Sequence, residues 1–338
     1  MQQPQFFSNE SEVPAGADRK DAAASGYREL FFIENPTLAK SDPANESAAQ
    51  EFVLQHIDSS VWAFYPWLHV AIRIPDESSF FRIRTARNEN LITKDEQQAY
   101  RNATVAIAGL SVGSAALATI VATGGPKHLR IGDFDTIEIS NLNRMRAALP
   151  DLGENKSVVA AKHAWEIDPF AQIEIWEQGA TPAADFAAGM SVVVDEMDSI
   201  DAKFAIREAA RAAKIPILMA TDNGEGAILD VERFDLEPDR PLFHGRVHLD
   251  GAKLTSLSRQ EFAKIASEII DPNLFTARQR ESVGLIGTRL AGIAQIATAA
   301  SVAGVAVAYA VRLIVTGQKL ASGRYLISPE EALAAPTA

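Results

Sequence analysis

The strongest constraint on the fold is a stretch of small and apolar residues followed by an acidic segment. Residues 105–114 read V-A-I-A-G-L-S-V-G-S, an apolar run that enters a turn of small residues and then a segment of helix length. A second apolar run, at 129–132, ends in D-F-D at 133–135. Because two strands joined by a helix form a βαβ unit, we predict a parallel sheet that begins here.

Strands and helices continue to alternate beyond this unit. We predict further strands at 173–176, 192–195 and 216–220, with helices at 114–123, 156–167 and 202–213. The pattern indicates an α/β fold, a Rossmann-like and mainly parallel sheet with flanking helices. We also expect strands outside this core, at 225–234 and 245–249.

The first 92 residues differ from the rest in composition. Residues 1–50 are rich in Ser, Asn, Ala, Asp and Glu, which predicts a mobile leader with one short helix. Residues 51–92 include the aromatic run V-W-A-F-Y-P-W at 61–67, which favours strands or an aromatic-rich docking element. The fold therefore gains a small N-terminal extension, and the main domain occupies 93–335.

Composition excludes several classes of function. The 338 residues contain no cysteine, so disulfides, thiolate metal sites and cysteine nucleophiles on this chain are excluded. The net charge of −12 argues against nucleic acid or an anionic membrane as a partner. Residues 290–311 carry no charge, and we expect them to form a buried helix on the sheet rather than a membrane span.

The polar residues after the first two strands suit a nucleotide. In the small-residue turn at 109–114, backbone N–H groups can approach phosphates at a helix N-terminus. Asp133, which lies 24 residues after Gly109, is placed to accept hydrogen bonds from a ribose. These two features do not separate ATP from a dinucleotide, because both ligands contain phosphates and ribose.

Three residues after the acidic segment favour a triphosphate. Asn141, Arg144 and Lys156 follow D-F-D at short intervals. A nicotinamide cofactor carries only a pyrophosphate, whereas a triphosphate adds charge that Arg and Lys side chains can neutralise. At the end of a further strand, Asp195 and Asp198 offer the oxygen ligands that Mg²⁺ prefers, although Asp198 could instead cap the next helix.

These residues resemble the ThiF/MoeB/HesA superfamily of ATP-dependent activating enzymes, which are related to ubiquitin-activating enzymes. The similarity extends over about residues 84–316, and its most specific parts are D-F-D-T-I-E-I-S-N-L-N-R at 133–144 and G-E-N-K at 153–156. The Y-P-W element at 65–67 and R-T-A-R-N at 84–88 are similar to a bacterial branch that is often associated with a flavin nitroreductase-like domain.

The resemblance implies a ThiF-type ATP-binding domain at 93–335 and a role for each matching residue. Asp198 matches the residue that binds Mg²⁺, and Arg87 matches an arginine that reaches across a homodimer interface into the partner's site. The implied catalytic residues are Arg87, Arg144, Lys156 and Asp198. The implied ATP-binding residues are Gly109, Ser111, Gly113, Ser114, Asp133, Asp135, Asn141, Arg144 and Lys156.

The chain also departs from the family's pattern. Ser111 and Ser114 stand where the glycine loop would have Gly, Met145 stands where Gln is common, and Ser199 stands where Asn often follows the acid of the metal segment. Because cysteine is absent, this chain can adenylate a substrate but cannot carry a thioester.

We therefore expect a cytoplasmic, homodimeric adenylyltransferase that uses ATP and Mg²⁺. Its substrate would be a carboxylate, on a small ubiquitin-like protein, a peptide or a small acid, and a flavin nitroreductase-like protein could be its partner. Two alternatives stay open at this point: an NAD- or FAD-binding oxidoreductase or its partner subunit, and a non-catalytic nucleotide-binding module.

Overall fold

The computed structural model describes residues 3–247 and 259–334, which form two compact units. The small unit consists of residues up to 97 together with 165–170, and the large unit consists of 98–164 and the residues from 171 onward.

The small unit is built on a four-stranded sheet with the order β1-β3-β4-β2. Strands β1 and β3 and strands β3 and β4 pair antiparallel, whereas β2 pairs parallel to β4. Its elements are β1 Gln5–Phe7, β2 Asp18–Asp21, α1 Ala23–Glu34, α2 Pro43–His56, β3 Val61–Tyr65, β4 Val70–Ile74, α3 Glu77–Thr85 and α4 Lys94–Asn102, in which the chain passes into the large unit.

The segment expected to be a leader contributes β1, β2, α1 and the first half of α2 to this unit. The physical reason is that the aromatic side chains of β3 must be buried. Trp62 and Phe64 pack with Val13 and Ala17, which lie near the start of the chain. The predicted boundary near residue 50 therefore does not coincide with a boundary between the two units, since residues on both sides of it share one sheet.

The large unit contains a seven-stranded sheet with the order β11-β10-β9-β8-β5-β6-β7. Strands β5 to β9 run parallel, and β10 and β11 pair antiparallel at one edge, which confirms the predicted mainly parallel α/β fold. Its elements are β5 Thr104–Ala108, α5 Gly113–Ala122, β6 His128–Gly132, α6 Lys156–Ile167, β7 Gln172–Trp176, α7 Ala183–Ala187, β8 Val192–Asp195, α8 Ile200–Ala212, β9 Ile217–Asn223, β10 Gly226–Glu232, α9 Arg259–Ile270, α10 Ala277–Leu285, α11 Ala297–Val315, β11 Gly323–Ile327 and α12 Pro329–Ala334.

The central strands have continuous apolar sequences because both faces of the sheet are covered. Strands β5 and β8 are buried along almost their whole length. On one face, α11 packs against α5, β9 and β10, which confirms the predicted buried helix, although it begins at Ala297 and not at 290. In the part of the chain that the structure describes, α11 is the one helix long and apolar enough to cross a membrane.

The strand predicted at 245–249 is wrong within the described residues. Leu242–Gly245 form a short 3-10 helix, in which Phe243 and His244 have φ values of 49° and 58°. The backbone N–H of Phe243 donates to a buried carboxylate oxygen of Glu232 at 2.7 Å, so a tertiary contact selects this conformation. Residues 248 and 249 lie outside the described residues.

Candidate functional site

The carboxyl ends of four neighbouring strands lie at one edge of the large sheet, where α/β proteins bind ligands. The register pairs Ala108 of β5 with Gly132 of β6 on one side and with Asp195 of β8 on the other. The segments that follow these strands are therefore adjacent, and they contain most of the residues predicted to form the site.

The turn after β5 requires glycine for steric reasons. Gly109 has a φ of +87°, and a Cβ atom there would lie 2.5 Å from the carbonyl carbon of Glu196. A Cβ on Gly113 would lie 2.9 Å from the side chain of Ile107, so this glycine lets α5 pack closely on its strand. Both glycines thus serve the close packing that brings backbone N–H groups to the sheet edge.

The two serines of the turn have different surroundings. The Ser114 hydroxyl donates to the backbone carbonyl of Ser111 at 2.9 Å and accepts from the N–H of Arg146 at 3.4 Å. The Ser111 hydroxyl is buried and has no hydrogen-bond partner among the described residues. Ser111 is therefore the serine whose hydroxyl is available to a ligand.

Asp133, directly after β6, connects this strand to the turn at Gly109 through hydrogen bonds. One of its carboxylate oxygens accepts from the Leu110 N–H at 2.6 Å, and the other accepts from the Asp135 N–H at 2.9 Å. Burial raises the pKa of Asp133, while these two N–H groups and the charge of Lys156 act in the opposite direction. The carboxylate therefore shapes the sheet edge, and its contact with a ribose stays a prediction.

Lys156 and Asp135, which the sequence analysis assigned to the nucleotide site, form an ion pair, and their contact with a nucleotide stays a prediction. The Lys156 Nζ lies 2.8 Å from a carboxylate oxygen of Asp135, and only 8% of Lys156 is exposed. Asn155, just before α6, accepts from the Ser157 N–H at 2.9 Å and donates to the Asp133 carbonyl at 2.9 Å. Asn155 thereby holds the start of α6, and with it Lys156, against the acidic segment.

Arg144 and Asn141 lie in the loop after β6. Asn141 is buried, and its side-chain oxygen accepts from the Glu138 N–H at 3.0 Å. The Arg144 guanidinium donates to the Asn143 side-chain oxygen at 2.9 Å, but its Nε is buried without a hydrogen-bond partner in the described part of the chain. Met145 packs in a core cluster under this loop, which explains an apolar residue there.

The two predicted acids, Asp195 at the end of β8 and Asp198 after it, have different surroundings. Asp195 is fully buried, and it pairs with Arg207 and, at 3.3 Å, with Lys203. Burial alone would raise the pKa of Asp195, but these two cations lower it. Asp198 is exposed beside Ser199, which caps α8 by accepting from the Ala202 N–H.

Asp198 is therefore the exposed one of these two acids, and its contact with a bound ion stays a prediction. Within residues 3–247 and 259–334, no group of three or more His, Cys, Asp or Glu side chains could hold a metal ion. A lone carboxylate fits Mg²⁺ that is held mainly by phosphate oxygens and water.

Arg87 lies in the small unit, in the short 3-10 helix Ala86–Asn88, and its side chain is exposed. Its contribution to the site of a partner subunit stays a prediction.

Sequence reasoning missed Asp222, at the carboxyl end of β9. Only 6% of it is exposed, and one carboxylate oxygen accepts from the Gln295 Nε2 at 3.2 Å. Burial raises the pKa of Asp222 to about 6, while Gln295 and Arg144 act to lower it. The available signal was an acid after the apolar run I-L-M-A, the same pattern that singled out Asp133.

Glu196 is a second acid that was missed, at the end of β8. Its carboxylate accepts from the Ala220 N–H at 2.9 Å. Burial raises the pKa of Glu196 well above its ordinary value, and the charges of Asp195 and Asp222 add to this rise. Two acids that repel each other thus lie at the ends of the neighbouring strands β8 and β9.

Known proteins are similar to this chain in sequence. The sequence model of the ThiF family matches residues 85–330. An uncharacterized protein of Mycobacterium tuberculosis is 38% identical over 80% of this chain, and the match spans only 38% of that relative's length. The tRNA threonylcarbamoyladenosine dehydratase of Bacillus subtilis is 26% identical over 50% of this chain and 70% of its own.

Solved structures show the same fold. The structure of Escherichia coli MccB with ATP has a TM-score of 0.50 and 17% identity, and the match covers 88% of this chain and 78% of that one. Because the family model matches residues 85–330, more than half of the chain, this chain belongs to the ThiF family.

Proposed function

We propose that this protein is an ATP-dependent adenylyltransferase, which activates a carboxylate as an acyl-adenylate and releases pyrophosphate. The observation that carries the proposal is a pair of cations at the carboxyl edge of the sheet: Arg144 lies in the loop after β6, and Lys156 is the first residue of α6. Their presence beside the Gly109 turn favours a ligand with more negative charge than a dinucleotide has.

In the proposed reaction a carboxylate oxygen of the substrate attacks the α-phosphorus of ATP, and the bond to pyrophosphate breaks. A general base is unnecessary, because a carboxylate is already ionised at neutral pH. Arg144 and Lys156 would spread the charge that develops on the phosphates, and backbone N–H groups of the turn would orient them. Asp198 would hold Mg²⁺, which when bound neutralises phosphate charge.

The relatives support adenylation without identifying a substrate. One solved fold relative was crystallised with ATP, and one sequence relative is named as a dehydratase of a modified tRNA. The net charge of −12 makes a tRNA a poor fit for this chain, so we propose a protein C-terminus, a peptide or a small acid as the activated carboxylate.

The first prediction tests this function through its cations. We expect release of pyrophosphate from Mg·ATP with at least one acid in a panel of free acids and peptides with free C-termini. Lys156→Ala and Arg144→Ala should each lower the rate about tenfold or more, since each removes a charge-assisted contact to phosphate. The measurement is an enzyme-coupled pyrophosphate assay.

Lys264→Ala provides the matched control, because it removes an exposed lysine of α9 that belongs to no part of the site. Wild-type rates in both site variants would contradict the proposed roles. Calorimetric binding of NAD or FMN, but not of ATP, would favour the oxidoreductase alternative instead.

A further inference from the structure

Asp222 is a buried acid, and one of its two carboxylate oxygens accepts no hydrogen bond from the described residues. Its Oδ2 accepts from Gln295, whereas its Oδ1 is buried and has no hydrogen-bond partner among the described residues. A buried polar atom without a partner costs free energy, and the cost is larger for a charged group. The unpaired oxygen therefore favours a ligand that supplies a donor.

Asp222 belongs to the same cluster as the proposed phosphate-binding arginine. The Gln295 side chain donates to Asp222, and the Gln295 carbonyl accepts from the Asn143 side chain at 2.8 Å. Asn143 in turn accepts from Arg144, whose charge also acts directly on Asp222. An acyl group attached to the α-phosphate would thus lie close to this acid if Arg144 contacts the phosphates.

The charge around Asp222 does not favour binding of a phosphate. Asp222 lies near the end of β9 and Glu196 follows the neighbouring strand β8, and the charge of Asp222 acts on Glu196. The negative charge of Asp222 would repel the polyphosphate, but it would attract a cation. A protonated amine supplies both the positive charge and the N–H donors that the unpaired Oδ1 lacks.

We propose that Asp222 and Gln295 form a subsite for a protonated amine carried by the carboxylate substrate, close to the carboxylate that is activated. This inference rests on the proposed adenylation, because it places the amine relative to the acyl-adenylate. It narrows the substrate class to amino acids and to other acids in which an ammonium group lies a few bonds from the carboxylate.

The test uses stable sulfamoyl analogues of acyl-adenylates, bound to the full chain at pH 8 and measured by calorimetry. Glycyl, β-alanyl and γ-aminobutyryl sulfamoyl adenosine place an ammonium group at increasing distance, and their acetyl, propionyl and butyryl counterparts lack it. We expect wild type to prefer at least one amino analogue over its counterpart about tenfold or more, the value of a charge-assisted contact.

Asp222→Asn should reduce this preference to about twofold or less, because the amide keeps the shape and loses the charge. Asp185→Asn, which changes an exposed acid of α7, should keep the wild-type preference. The preference is the ratio of the affinities of one protein for the two analogues of a pair. A change that weakens the binding of both analogues equally therefore leaves this ratio unchanged.

Three outcomes would overturn the subsite, and they differ in what else they affect. Equal binding of both analogues of every pair to wild type would contradict the subsite alone. Equal loss of affinity for both members of a pair in Asp222→Asn, with the preference kept, would assign Asp222 a purely structural role. Failure of wild type to bind AMP or any analogue would overturn the adenylation proposal together with the subsite.

Discussion

At the scale of single residues, the turn at Gly109 requires a glycine for the fold itself, whether or not a ligand is bound. Gly109→Ala would place a Cβ 2.5 Å from the Glu196 carbonyl carbon at a φ of +87°. We expect a loss of stability of about 2–4 kcal/mol, from strain and from displacement of the backbone. Urea unfolding measures it.

Gly189→Ala is the matched control, because Gly189 has a φ of +75° and its Cβ would meet nothing within 4 Å. This variant should lose only about 1–2 kcal/mol, the cost of the left-handed conformation alone. Equal losses in the two variants would show that the close approach to Glu196 adds nothing.

Asp222 gives a pH-dependent prediction at the same scale. Its pKa rises from 3.8 to about 6 on folding, so between these values the folded protein binds more protons than the unfolded chain. The stability that Asp222 contributes is therefore present at low pH and lost as pH rises through about 6, by at most about 3 kcal/mol. The charge of Arg144 acts to lower the pKa of Asp222, and the charge of Asp222 acts in turn to raise the pKa of Glu196.

The Asp222→Asn variant has no charge at this position, so its stability should not fall as this group ionises. We expect the variant to be more stable than wild type at pH 8 by up to about 3 kcal/mol, and to be close to wild type at pH 4. Urea unfolding of both proteins at the two pH values provides the comparison. A variant that is less stable by the same amount at both values would show that ionisation of Asp222 has no cost in the folded protein.

At the scale of elements, α6 links helix capping to the site. Asn155→Ala removes the acceptor for the Ser157 and Val158 N–H groups and the donor to the Asp133 carbonyl. We expect a loss of about 1–2 kcal/mol in unfolding free energy, typical of a lost cap. Mg·ATP affinity, measured by calorimetry, should also fall, because Lys156 begins this helix.

Asn155→Asp separates the two effects, since it keeps the cap acceptor and loses the side-chain donor. We expect it to retain most of the helix stability while its affinity for Mg·ATP falls. Unchanged affinity in both variants would show that the Asn155 side chain does not position Lys156.

The elements themselves were largely predictable from sequence, for a local reason. The bounds of β8 and of α6 agree with the prediction, and the other predicted strands and helices of the parallel core agree to within about three residues. Apolar periodicity is read within one element, so it needs no knowledge of neighbours. The predicted strand was wrong for its described residues, 245–247, which lie at and beyond the end of a 3-10 helix that the contact of Phe243 with Glu232 stabilises.

At the scale of the whole molecule, the proposed homodimer allows the role of Arg87 in the partner's site to be tested. If Arg87 acts in the partner's site, Arg87→Ala and Lys156→Ala should each be nearly inactive alone, yet mixed dimers would contain one intact site of two. Equal mixing after subunit exchange should then restore about a quarter of the wild-type rate of pyrophosphate release. No recovery, with exchange shown by tagged subunits, would place Arg87 outside the partner's site.

Local sequence alone was enough to identify the parallel α/β core, the small-residue turn and the acids and cations that follow its strands, because each depends on spacing within a few tens of residues. Only folding could decide how these side chains are paired. Lys156 contacts Asp135 from 21 residues away, and Asp222 meets Gln295 across 73 residues. Such contacts depend on which strands lie side by side, and the order β9-β8-β5-β6 is a property of the assembled sheet.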